Sequence, residues 1–204
     1  MKVKNEKGFT LIELAVVLVL IGIILGAVLK GQDLIDNARA KQFATEVRTW
    51  ETALYNYLDR KGRLPGDADR DGVVGDSDPQ GELSAAKLVN IPSNSFILGA
   101  TGFNVYLGSG TVNGPNYLVM CKGANCSGKF DPNNAGDLAA LKYFESFDTT
   151  VDGTASANAA SNSVVTAFSA ITSSGNTFTA ITLGSSNGDW LTPTNIKGLA
   201  YQIR

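Results

Sequence analysis

The stretch FTLIELAVVLVLIGIILGAVL (Phe9–Leu29) decides how this chain of 204 residues is organised. Of its 21 residues, 17 are apolar, and the exceptions are Thr10, Glu13 and two glycines. As a helix, the stretch rises about 31 Å at 1.5 Å per residue, which is enough to cross the hydrocarbon core of a bilayer. The sequence therefore predicts a transmembrane or assembly helix over 9–30, preceded by a short basic leader over 1–8.

A cleaved secretory signal peptide is the first alternative for this segment. Such a peptide has an apolar region of about 7–15 residues, followed closely by a small-x-small cleavage site. Here the apolar run is longer, and the nearest such site, Ala38-Arg39-Ala40, lies beyond two aspartates. An ionisable Glu13 inside the run also fits a signal peptide poorly. These features favour a retained helix.

Glu13 needs a physical explanation, because a carboxylate in the apolar part of a membrane helix costs several kcal/mol unless it finds a partner. One interpretation places it near the helix end, with its carboxylate reaching the lipid interface. The other pairs it with a cation, and the apolar run contains none. Cleavage between Gly8 and Phe9 would create an α-amino group that supplies this charge.

The hexapeptide Gly8-Phe9-Thr10-Leu11-Ile12-Glu13, with its basic leader and apolar helix, resembles the prepilin signature of type IV pilins and type II secretion pseudopilins. The resemblance implies cleavage after Gly8 by a prepilin peptidase and N-methylation of Phe9. It also implies pairing of Glu13 with the terminal amine of a neighbouring subunit. The expected fold is α+β and type IV pilin-like, with a long N-terminal helix packed on a small antiparallel-sheet head.

A second apolar pattern continues the helix beyond the membrane segment. Its residues recur every three or four positions on one face: Phe43, Val47, Trp50, Leu54 and Tyr57 or Leu58. Arg60 and Lys61 suit the negative end of a helix dipole, and Gly62 fits a C-terminal cap. The pattern predicts an amphipathic continuation over 31–61 that packs against a globular head over 62–204.

The acidic segment DADRDGVVGDSD, residues 67–78, resembles the calcium loop of EF-hands and dockerins. With its first aspartate as loop position one, Gly72 falls at position six, where that loop turns sharply. The sequence therefore predicts a Ca²⁺ site with five ligand residues: Asp67, Asp69, Asp71, Asp78 and the backbone carbonyl of Val73. The alternative is a solvated acidic turn at the exit of the long helix.

The remaining chain predicts a small α+β head. Helices are expected over 82–89 and 135–147, and strands over 103–107, 116–120, 164–168, 177–181 and 196–203. The segment 149–188 has one charged residue, Asp152, and fits either an exposed β surface or a surface loop. Outside the cytoplasm, Cys121 and Cys126 are expected to form a disulfide, because a redox site would more naturally be Cys-x-x-Cys.

Composition removes several classes of function. The chain has no histidine and only two cysteines, which excludes histidine-dependent triads and four-thiolate metal sites. Its net charge of −2 provides no basic field for nucleic acid. Two alternatives to a filament subunit stay open: a single-span membrane-anchored binding module, and a secreted calcium-dependent hydrolase that uses paired aspartates.

The leading hypothesis is a non-enzymatic filament subunit. The resemblance implies a homo- or hetero-polymer with other pilin-like subunits, an assembly platform in the bacterial inner membrane, and lipid contact before assembly. It places the C-terminal head in the periplasm or, after assembly, in a pilus or pseudopilus.

Overall fold

A computed structural model of the chain divides it into two compact units, Met1–Ala38 and Arg39–Arg204. The structure describes residues 8–88, 91–110, 114–158, 163–174, 177–184, 188–192 and 195–203. The leader residues 1–7 lie outside this set. The helices are α1 (Leu11–Lys61), α2 (Pro79–Ala85) and α3 (Ala135–Asp152). The strands are β1 (Ser95–Leu98), β2 (Thr101–Ser109), β3 (Asn116–Cys121), β4 (Val165–Ser174), β5 (Thr177–Leu183) and β6 (Gly198–Ile203).

In the first unit, α1 carries the apolar segment with its side chains exposed. The exposed fraction of the large apolar side chains between Leu11 and Leu29 runs from 47% at Ile21 to 88% at Leu11. Among the described residues, α1 is the one helix that is long and apolar enough to cross a membrane, judged by length and composition. The predicted apolar helix is therefore present.

In the second unit, α1 buries the predicted apolar stripe. Phe43, Val47 and Leu54 are fully buried, and Trp50 and Tyr57 are at most 3% exposed. The helix ends at Gly62, which adopts a φ of +69° while its N–H donates to the carbonyl of Leu58 at 2.7 Å. A glycine suits this left-handed position, as the sequence predicts.

The strands form a six-stranded sheet in the order β1-β2-β3-β6-β4-β5, and neighbours in this order are antiparallel. A short parallel pairing of β5 with β2 closes the sheet on itself, through Leu107 with Thr177 and Gly108 with Phe178. The approach at Gly108 is close, since a Cβ there would lie 2.2 Å from the carbonyl oxygen of Phe178. Glycine is therefore required at this point of closure.

The central strands β2, β3 and β6 are buried on both faces. One face packs on α1 and α3, where Phe43 contacts Phe103 and Phe144 with ring centroids 5.6 and 5.4 Å apart. The other face encloses a second apolar cluster that includes Val119 and Phe168. Burial on both faces explains why β3 is almost continuously apolar rather than alternating.

The α+β arrangement of a long helix on a small antiparallel sheet is confirmed, but several bounds differ from the predictions. The helix predicted over 82–89 lies instead at Pro79–Ala85, and Val89 is outside the described residues. Asp78 caps the helix and Pro79 occupies its first turn, which favours an earlier start; Lys87, with a φ of +50°, follows its end. The predicted helix 135–147 continues to Asp152, where Gly153 ends it in the left-handed conformation.

The predicted strands are present, and most extend beyond their predicted bounds, but β4 starts at Val165 instead of residue 164 and the last strand starts at Gly198 instead of residue 196. β1 was not predicted at all. It forms a tight hairpin with β2, in which Leu98 pairs with Thr101 across Gly99 and Ala100. The described parts of 149–188 include the β4–β5 hairpin, so the strand interpretation of that segment is correct there.

Asp148 on α3 is a buried carboxylate, only 1% exposed. Its Oδ2 accepts hydrogen bonds from the indole N–H of Trp190 and the backbone N–H of Ser156, both at 2.7 Å. Burial raises the pKa of Asp148 to about 6, although the two hydrogen bonds act in the opposite direction. The carboxyl therefore holds its proton more tightly in the folded protein than in the unfolded chain.

This difference predicts a pH dependence of folding. A buried carboxyl group with a raised pKa stabilises the folded state when it is protonated. This stabilisation is complete below pH 3.8, the ordinary pKa, and it is lost as the pH rises through about 6. When the pH is lowered from 7 to 5, the free energy of unfolding should therefore rise more in the wild type than in Asp148→Asn. Denaturant unfolding of the full chain in detergent, followed by tryptophan fluorescence, measures it. Asp59→Asn, which removes an exposed carboxylate of α1, should keep the wild-type response; equal responses in Asp148→Asn would contradict the prediction.

Candidate functional site

The predicted cleavage point lies in an open segment ahead of α1. Gly8 and Phe9 are both exposed, and Phe9 is 87% exposed. A Cβ added at Gly8 would meet no atom within 4 Å. Neither residue is helical, since α1 begins at Leu11. Gly8 and Phe9 therefore lie in an exposed, non-helical stretch.

Glu13 closes the first turn of α1 together with Thr10. The Glu13 Oε2 atom accepts hydrogen bonds from the backbone N–H and the hydroxyl of Thr10, both at 2.8 Å. In return, the Thr10 Oγ1 accepts the backbone N–H of Glu13 at 3.3 Å. This reciprocal pattern is a capping box. The spacing Thr-x-x-Glu is typical of a capping box, but this role of Glu13 was not predicted. Both bonds to the carboxylate use Oε2, and Oε1 takes part in neither.

The acidic loop at residues 67–78 is fixed to the sheet by Asn116, the first residue of β3. The Asn116 side chain accepts the backbone N–H of Val74 at 2.9 Å and donates to the carbonyl of Gly72 at 2.8 Å. Val74 is fully buried in the main core. The loop is thus a docked element of the head.

Glu82 on α2 fixes the start of the same loop. Its carboxylate accepts hydrogen bonds from the Tyr57 hydroxyl (2.8 Å), Arg63 Nη1 (2.7 Å), the Gly66 backbone N–H (3.3 Å) and the Ser77 hydroxyl (2.6 Å). Burial alone would raise the pKa of Glu82, but these donors outweigh it and lower the pKa to about 2. The ionised carboxylate therefore joins the end of α1, both ends of the loop and α2.

The structure brings together only part of the predicted calcium ligand set. Asp67, Asp69 and Asp76 each place a carboxylate oxygen within 4.8 Å of the others. Asp76 was not in the predicted set. Asp78 is outside this group because its side chain caps α2, accepting the backbone N–H of Gln80 at 3.2 Å.

Asp71 also lies outside the group of three carboxylates. The Asp71 Oδ1 atom accepts the backbone N–H of Val73 at 2.7 Å, which closes a local turn. The carboxylate is used inside the loop, as aspartate commonly is at such turns. Of the five predicted ligands, only Asp67 and Asp69 belong to this group of carboxylates, and the role of the Val73 carbonyl stays a prediction.

Cys121 and Cys126 are joined as a disulfide, with Cα atoms 5.2 Å apart. Both are fully buried in the second apolar cluster. The pair closes the short 3₁₀ turn Ala124–Cys126 onto the end of β3. Its place inside the core is that of a structural link, as the sequence predicts.

Comparison with known proteins identifies the N-terminal segment. A family model described as the prokaryotic N-terminal methylation motif matches residues 3–29. This motif is the signature of type IV pilin and pseudopilin leaders, so the resemblance is confirmed over those residues, and it points to a structural pilin-type protein. No curated protein and no solved structure matches the chain.

The Glu82 network predicts a stability effect. Glu82→Gln removes the charge that four donors share, and a hydrogen bond to a charged group contributes about 1.5–3 kcal/mol, compared with about 0.5–1.5 kcal/mol for a neutral pair. We expect the free energy of unfolding to fall by roughly 2 kcal/mol or more, measured by denaturant unfolding of the full chain in detergent. Glu46→Gln on α1 is the matched control, because no described residue donates a hydrogen bond to Glu46. Equal losses in the two variants would refute the role of Glu82.

Proposed function

We propose that this chain is a structural, non-enzymatic subunit of a type IV pilus-like filament or a type II secretion pseudopilus, polymerised through its apolar N-terminal helix. One observation carries the proposal. The methylation motif at residues 3–29 coincides with an apolar segment whose side chains are exposed in the single chain. Both features are required of a subunit that is first stored in a membrane and then packed helix against helix.

The exposed surface of α1 needs two successive covers. An apolar surface that runs unbroken from Leu11 to Leu29 exceeds what soluble monomers leave in water, so lipid covers it first. In a filament, the same segment of neighbouring subunits replaces the lipid. Because lipid tails are as apolar as the side chains, this exchange provides little register by itself. A polar contact has to fix the register.

Glu13 supplies that contact in the proposed filament. Cleavage after Gly8 leaves a positive α-amine on Phe9, which stays charged after N-methylation. The free Oε1 of Glu13 accepts this amine from a neighbouring subunit, while Oε2 keeps its bonds to Thr10. A buried carboxylate without its partner is costly, so the pair stabilises one register over the others. A head-to-tail contact of this kind builds an open helical filament.

The proposal implies defined partners and a location. A prepilin peptidase cleaves the leader, and an inner-membrane platform adds the subunit to a homo- or hetero-polymer of pilin-like chains. The head faces the periplasm or the exterior, which agrees with the buried disulfide between Cys121 and Cys126, a bond that persists in oxidising compartments.

The intact mass of the protein purified from the membranes of its own bacterium tests processing. We expect the loss of residues 1–8 and the gain of one methyl group on Phe9. An intact terminus on a chain that stays monomeric would favour a single-span anchored binding module instead.

Substitutions at Glu13 test the pairing. Glu13→Gln keeps the capping box, since glutamine serves equally in that position, but removes the charge. We expect normal membrane insertion and cleavage with filament yield reduced to a small fraction, measured by imaging cells that express a tagged copy. Glu46→Gln should assemble as the wild type does. Normal filament yield from Glu13→Gln would overturn the charge pairing and leave Glu13 as a helix cap.

A further inference from the structure

Asp67 is the one residue of the acidic loop whose burial has no explanation within the described part of the chain. Its side chain is 2% exposed, and its Oδ2 accepts the backbone N–H of Gly72 at 3.2 Å. Its Oδ1 is buried and has no hydrogen-bond partner among the described residues. A buried carboxylate oxygen without a donor or a cation is strongly unfavourable, so a partner of positive charge is expected there.

Two more carboxylates lie beside this buried one. Oxygens of Asp67, Asp69 and Asp76 lie within 4.8 Å of one another. Ion pairs join Arg48 to Glu51, Arg63 to Glu82 and Lys122 to Asp137, whereas the three aspartates form no ion pair with any described residue. Three like charges at this distance repel one another unless a cation lies between them.

Two arginines, Arg63 and Arg70, line the cavity beside Asp67, and neither forms an ion pair with the three aspartates. Arg63 donates to the backbone carbonyl of Asp67 at 2.8 Å and to Glu82 at 2.7 Å. It therefore acts on the Asp67 carboxylate only through space and gives it no hydrogen bond. Asp69 and Asp76 are exposed, so an ion and its water ligands reach the group from solvent.

Backbone N–H groups of the loop position the three carboxylates. The Asp76 Oδ2 accepts the backbone N–H groups of Ala68 and Asp69, at 3.2 and 3.4 Å, which brings the two ends of the loop together. Glu82 and Asn116 fix the loop to α2 and β3, as described above. A cation entering this group would not have to order the loop first, which lowers the cost of binding.

We propose that Asp67, Asp69 and Asp76 bind a divalent cation, with Ca²⁺ as the preferred ion. The ligands are oxygens only, which suits hard cations rather than zinc or copper. Ca²⁺ accepts six to eight oxygens in irregular geometry, whereas Mg²⁺ requires near-octahedral coordination. The unpartnered Oδ1 of Asp67 is the inner ligand. This set differs from the one predicted from loop positions, because the structure groups the carboxylates of Asp67, Asp69 and Asp76 without those of Asp71 and Asp78.

The experiment uses the full chain purified in detergent, stripped with EGTA and titrated with CaCl₂ or MgCl₂. The readouts are the thermal unfolding midpoint and isothermal titration calorimetry, neither of which depends on filament assembly. The midpoint should rise with Ca²⁺ concentration, because the ion binds the folded state. Removing one ligand charge in Asp69→Asn or Asp76→Asn should weaken Ca²⁺ binding by about tenfold or more, since ligand charge count sets affinity in such sites.

Asp71→Asn and Asp78→Asn are the matched controls, because each is the same change in the same loop outside the proposed set. Both should bind Ca²⁺ as the wild type does. Asp67→Asn should lose Ca²⁺ binding yet unfold no earlier than the wild type in EGTA, because it removes an unpartnered buried charge.

The absence of a Ca²⁺-dependent midpoint and of binding heat in the wild type would overturn the site. Equal weakening by Asp71→Asn and Asp76→Asn would overturn the ligand set. An equal response to Mg²⁺ at equal concentration would overturn the preference for calcium.

Discussion

A single stripe of side chains on α1, from Phe43 to Tyr57, is the surface on which the second unit depends. At one end, Phe43 packs into an aromatic cluster shared with the sheet and α3. At the other end, the hydroxyl group of Tyr57 donates a hydrogen bond to Glu82. Because Glu82 also holds Arg63 and the loop that follows, the position of the acidic loop is set by how α1 is buried.

Local patterns in the sequence predicted most of the fold. The spacing of Phe43, Val47 and Trp50 is a strong helical signal, and Gly62 is a clear stop, so the long helix and its buried face follow from one stretch of chain. β1 was not predicted because it is only four residues long, although Gly99 at the first central position of its turn is typical of a hairpin. The pairing of β2 with β5 was not predicted, because it joins residues that are far apart in the sequence. Gly108 permits this contact, but a glycine by itself does not indicate which strand it will approach.

The candidate site was predicted in place but not in detail. A dense run of aspartates identified the loop, yet the assignment of ligands by position gave Asp78 to a metal although Pro79 marks it as a helix cap. Asp76 was not predicted as a ligand, because it reaches the other carboxylates only where the loop folds back onto Asp69. The donors to Glu82 come from three segments of the chain, so no single window of sequence contains that network. By contrast, the capping role of Glu13 could have been predicted from the sequence, because Thr10 lies three positions before it.

In the proposed filament, the closure of the sheet limits β-strand pairing between neighbouring heads. An uncovered strand edge offers unpaired amides and carbonyls to any neighbouring chain, and crowding raises that hazard. On the edge of β2 opposite β3, β1 covers the first part and β5 covers Leu107 and Gly108 further along. A central strand whose two borders are already occupied cannot recruit a strand from the next molecule. In the proposed filament, contacts between neighbouring copies are then made by helices and side chains, and these contacts can separate without breaking the hydrogen bonds of the sheet.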